Sequence, residues 1–170
     1  NVSSTFTYNS IKNSLHLSNS ITVKEYISYL SNSYLFFELS KFDFSLRKSL
    51  NAPKKIYIAD TAFNQIAGFN FSPNSGKNLE NVVFVELKRR KKEAYYFAEK
   101  SECDFVLKEG TKIIQAIQVC CDLNKENKDR EINGLLEAIN KFKLAEGVII
   151  TFDQEEEFEK EGKKIKVLPV

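Results

Sequence analysis

Residues 68–76 constrain this chain more than any other feature. Gly68, Asn70, Ser72, Pro73, Asn74, Ser75 and Gly76 crowd turn and breaker residues into nine positions. Such a stretch continues neither a helix nor a strand, so it reads as a linker. The chain's 170 residues in all are enough for one domain or two small ones. The expected organisation is therefore a segment 1–75 and a domain 76–170.

The first segment reads as helix, turn, helix, ribbon. Tyr8, Ile11 and Leu15 fall at helical spacing, and 17–20 is a polar break. Thr22 and Glu25 form a capping-box pattern that places a helix start. Val23, Tyr26, Ile27 and Leu30 then make one apolar stripe. Residues 34–39 are strand-like, 47–55 are polar and basic, and 55–58 read as a second strand. That is the outline of a winged helix. A short helix over 61–67 precedes the linker.

The second segment opens with a helix over 77–90, apolar at Leu79, Val82, Val83, Phe84, Val85 and Leu87. Strands follow over 94–98, 103–108 and 112–123, the last two joined by a turn at Glu109, Gly110 and Thr111. A helix over 129–142 presents Ile132, Leu135, Leu136 and Ile139. Gly147 precedes an apolar strand over 148–151, and 165–168 closes the chain. The expected order is α-β-β-β-α-β plus a last strand, an α/β mixed sheet flanked by helices.

Composition excludes several classes. A hydrophobic share of 42% with 28% charged residues is that of an ordinary globular chain, not a disordered one. No apolar run approaches the ~20 residues of a membrane span, so no membrane partner is expected. The net charge of +2 names no partner. The one dense basic run is Lys88, Arg89, Arg90, Lys91 and Lys92. With Lys24 in the second helix, it is the candidate nucleic-acid surface. Cys103, Cys120 and Cys121 are an odd set with two neighbours, which argues for a reducing, cytoplasmic setting over a disulfide framework. His16 is the single histidine, far from these cysteines, so neither a structural zinc nor Cys–His catalysis is expected. Gly76 and Lys77 resemble a phosphate loop, but Phe71 and Asn78 stand where that motif needs Gly and Ser or Thr. The chain begins at Asn1 and contains no Met, so a longer parent is expected.

One constellation carries chemistry. Glu80 on the long helix, Asp104 on a strand, and Gln118 with Cys120 on the next strand are spaced as in metal-dependent phosphodiester cleavage. Alternation puts Gln118 and Cys120 on one face. Glu80 and Asp104, with a carbonyl oxygen, could hold Mg²⁺, which prefers hard oxygen ligands. The same residues also fit a plain scaffold, with Glu80 at the surface, Asp104 at a sheet edge and Cys120 as core filler.

The stretches GKNLENVVFVEL (76–87), ECDFVLKEG (102–110) and IQVCCDL (117–123) resemble the C-terminal region of a prokaryotic AAA-type ATPase family. KKIYIADTAF (54–63) resembles that family's strand-Asp-Thr segment. The resemblance implies a winged helix followed by a restriction-endonuclease-like domain of the PD-(D/E)xK fold, downstream of an ATPase module. It places Glu80 at the helix carboxylate and Asp104 at the central Asp. Gln118 then stands where active nucleases have Glu, and Cys120 where they have Lys. An amide is a weak metal ligand and a thiol supplies no positive charge. Removing one group that stabilises the transition state costs about 2.7–4 kcal/mol, judged from oxyanion-hole donors. The expectation is a degenerate site that binds nucleic acid or a protein partner without cutting. ATP would then belong to the upstream module alone. Two alternatives follow: a Mg²⁺-dependent nuclease in which Lys77, one turn before Glu80, replaces the missing lysine, and a regulatory protein-interaction domain of the ATPase.

Overall fold

A computed structural model describes residues 3–60 and 75–170. The expected helix over 61–67 and most of the linker lie outside the described residues. The chain divides into two compact units, Asn1–Pro73 and Asn74–Val170.

The first unit holds β1 (Thr5–Phe6), α1 (Tyr8–Ser14), α2 (Ser20–Asn32), β2 (Phe36–Leu39), α3 (Leu46–Asn51) and β3 (Lys54–Ile58). The strands form an antiparallel sheet in the order β1-β3-β2. The capping box falls on α1. Thr7 Oγ1 accepts from Ser10 N–H and Ser10 Oγ from Thr7 N–H, both at 3.0 Å. The expected start of α2 at Thr22 is corrected: Asn19 Oδ1 accepts from Ile21 N–H at 2.8 Å, so the helix begins before Thr22. A short amide already satisfies a first-turn donor, leaving Thr22 inside that turn. Of the predicted α2 stripe, Val23 and Ile27 are buried, whereas Tyr26 is exposed. The polar-basic connection contains α3, capped by Ser45 and tied back by Ser49 Oγ donating to Lys41 O at 2.6 Å. Too short to show an apolar stripe, it gave no periodic signal.

The second unit is a mixed α/β layer structure. Helices α4 (Ser75–Arg89) and α5 (Lys128–Phe142) flank a sheet of β4 (Glu93–Ala98), β5 (Glu102–Glu109), β6 (Lys112–Val119), β7 (Glu146–Thr151), β8 (Glu156–Lys160) and β9 (Lys163–Pro169). Strand order is β4-β5-β6-β7-β9-β8, antiparallel at both ends and parallel where β7 meets β6 and β9. The α5 crossover makes the parallel β6–β7 pair possible. Phe84 of α4 stacks on Phe105, with ring centroids 6.1 Å apart. Glu131 of α5 bonds to Gln118. Positions 104 and 118 share one sheet face and 105 and 117 the other, so the two helices cover opposite faces. A Cβ on Gly147 of β7 would lie 2.6 Å from Ile139 Cδ1, which is why α5 can pack so closely there.

Strand β8, mostly acidic in sequence, has no counterpart in the expected order. Its residues pair with β9 across a tight turn in which Glu161 has φ 54° and Gly162 φ 70°. Both signs suit the primed turns that match strand twist. The third expected strand stops at Val119, so Cys120 lies just beyond β6, although its N–H still donates to Ile150 O at 3.0 Å.

Candidate functional site

The residues singled out from sequence converge in the second unit. A cleft of about 770 Å³ is lined by Lys77, Glu80, Asp104, Gln118 and Cys120 together. Glu80 comes from the first half of α4 and is 8% exposed, despite its charge. Asp104 and Gln118 are brought side by side by the β5–β6 register, which pairs Phe105 with Ile117. Both are buried.

Hydrogen bonds fix the floor of the cleft. Asp104 Oδ2 accepts from Val119 N–H at 3.0 Å, and Asp104 N–H donates to Gln118 Oε1 at 3.3 Å. Gln118 Nε2 donates to Glu131 Oε2 at 2.7 Å. Glu131 Oε1 accepts from Arg130 Nε at 3.0 Å and also from Arg130 Nη2. Glu131 is buried, while Arg130 stands at the solvent side. Pairing with Glu131 raises the pKa of Arg130.

Sequence reasoning passed over Arg130 and Glu131. A signal was present: Glu131 precedes Leu135 by four residues and Ile139 by eight, so a carboxylate continues the buried stripe of α5. Gly134, one turn later, allows the approach. A Cβ there would lie 2.1 Å from Glu102 O, so only glycine lets α5 bring Glu131 down to Gln118.

Electrostatics in the cleft are negative. Lys77, Lys100 and Arg130 face Glu80, Glu102, Asp104, Asp122 and Glu131 along its lining. Cys120 feels this field: burial first, then Glu131 and Asp104, push its thiol from 9.0 to about 12. The thiol stays protonated at neutral pH and supplies no nucleophile.

The donor set does not suit Mg²⁺. Gln118 Oε1, one oxygen of Asp104 and both of Glu131 are already engaged by donors of this chain. Among the described residues no group of three or more His, Cys, Asp or Glu side chains is placed to hold a metal ion. Glu80 and Asp104, the two carboxylates that could hold Mg²⁺, both line the cleft.

The basic run lies elsewhere. Lys88 and Arg89 end α4, Lys91 takes a left-handed turn at φ 55°, and none of Lys88, Arg89, Arg90, Lys91 or Lys92 lines the cleft. Arg89 and Arg90 both hydrogen-bond to Glu86 at 2.6 Å, which reduces the field the run can offer a polyanion. Lys24 is exposed on α2 of the first unit, beside Glu25. Among the described residues no helix is long and apolar enough to cross a membrane.

Comparison with known proteins places these features in wider company. Residues 1–72 match the model of a Domain of unknown function (DUF8612). The chain is 37% identical over 140 residues to the uncharacterized protein MJ1544 of Methanocaldococcus jannaschii, covering 78% of this chain and 30% of that protein. It is 26% identical over 165 residues to an uncharacterized protein of Haemophilus influenzae, covering 95% of this chain and 38% of that one. The chain thus spans about a third of the length of the curated relatives it matches. No solved structure matches it.

Proposed function

We propose that this chain is a non-cleaving accessory region of a longer AAA-type ATPase. In this reading the first unit is winged-helix-like, and the second is a restriction-endonuclease-like domain that binds nucleic acid or a protein partner with its chemistry lost. The observation that carries the reading is the state of Gln118 and Cys120. Gln118 spends its amide on Asp104 and Glu131, and Cys120 offers a protonated thiol where a cation is needed. The element order β1-α1-α2-β2-α3-β3 and the α-β-β-β-α-β start of the second unit are compatible with both halves of the proposal. The ATPase module rests on the sequence resemblance.

Two further readings each have an observation in their favour. Lys77 lines the same cleft as Glu80 and Asp104, which favours a nuclease with a relocated lysine. The negative cleft and the partial offset of the basic run by Glu86 favour a regulatory domain that docks a protein. A DNA titration of the chain across salt concentrations, with and without Mg²⁺, separates the three. The accessory reading expects intact strands throughout, and a salt-sensitive mobility shift if the ligand is DNA. Mg²⁺-dependent nicking abolished by Asp104→Ala would establish the nuclease. No shift at low salt would leave protein docking.

A further inference from the structure

Gln118 is explained by a neighbour the motif does not include. Its Nε2 donates to Glu131 Oε2 at 2.7 Å, while its Oε1 takes the N–H of Asp104. An ionised glutamate at 118 could not donate, and its oxygen would face the buried Glu131 carboxylate. Like charges at that separation cannot both ionise cheaply, so a glutamate at 118 and Glu131 tend to exclude one another. Arg130 closes the chain from the solvent side by engaging the other Glu131 oxygen. The arrangement is donor to acceptor throughout, from the Asp104 backbone through Gln118 to Glu131 and Arg130.

The disagreement between this cleft and a divalent cation thus has an identifiable source. We propose that Glu131 keeps the cleft free of divalent metal: it demands an amide at position 118, where a carboxylate would be the cation's ligand, while Arg130 neutralises Glu131 itself from the solvent side. Gly134 makes this possible by letting α5 approach Glu102 O. The inference rests on the non-cleaving reading but can fail separately from it.

The test uses the whole chain, Mn²⁺ as the titrant, calorimetry for binding and thermal melts for folding. Variants are Glu131→Gln, Gln118→Glu and the double exchange, which moves the carboxylate from α5 to β6 without changing net charge. Wild type and Glu131→Gln should bind no Mn²⁺ and show no melting shift with it. Gln118→Glu should melt lower than wild type, and the double exchange should recover the loss. The double exchange should bind Mn²⁺ at least about 10-fold more tightly than Gln118→Glu, the scale seen when groups supporting a ligand change. A Gln118→Glu variant as stable as wild type, or one binding Mn²⁺ as well as the double exchange, overturns the role of Glu131 and leaves the non-cleaving reading intact. So does a double exchange that folds without gaining Mn²⁺. If Gln118→Glu fails to fold, recovery of folding in the double exchange supports the proposal and its absence overturns it. Mn²⁺ binding by wild type overturns the inference, and DNA nicking alongside it overturns the underlying reading as well.

Discussion

Cys120 shows how much one side chain reports about its surroundings. Burial and neighbouring carboxylates hold its thiol at about 12 rather than 9.0. The sign follows from proton counting: between those values the unfolded chain gives up the proton while the folded chain keeps it. Its contribution is complete below pH 9.0 and lost as pH climbs towards 12. Urea unfolding across that window should show falling stability, and Cys120→Ala should flatten the fall. In the native state, alkylation at pH 8 should reach the half-buried Cys121 before Cys120, read by mass spectrometry. Gly134 is the second sensitive residue. Alanine ordinarily favours a helix by about 1 kcal/mol. Here its Cβ would meet Glu102 O at 2.1 Å, so the backbones must separate. Gly134→Ala should destabilise by about 1–3 kcal/mol in denaturant melts, the usual cost of overpacking.

Among the elements, the β8–β9 hairpin and α5 differ most from what their residues announce. Glu161 occupies a left-handed position that costs a side-chain-bearing residue about 1 kcal/mol. Asparagine tolerates that position, so Glu161→Asn should raise stability by under about 1 kcal/mol, measured by thermal or urea unfolding. In β8, Phe158 is only half-buried and acids flank it, so neither alternation nor hydrophobicity marks a strand. Pairing with β9 and the Glu157–Lys164 ion pair at 2.7 Å decide it. By contrast, α4, α5, β5 and β7 were legible because each has an apolar pattern of the right period. The start of α2 was misplaced because Asn19 and Thr22 both look like caps, and only the contact to Ile21 N–H separates them.

For the whole molecule, the two compact units carry separate cores, Val23, Ile27, Leu39 and Tyr57 in one and Phe84, Phe105, Leu135 and Ile149 in the other. Residues 74–170 expressed alone should therefore unfold cooperatively, checked by circular dichroism and calorimetry. A broad, non-cooperative melt would show that this core depends on the rest of the chain. Local patterning determined the mixed α/β class and the spacing that gathers Glu80, Asp104, Gln118 and Cys120, because helical and strand periods follow from which residues avoid water. Tertiary packing alone decided what those residues do to one another. Glu131 reaches Gln118 because Gly134 admits α5 against β5, and the direction of an amide between a backbone N–H and a carboxylate is set by contacts between segments distant in sequence.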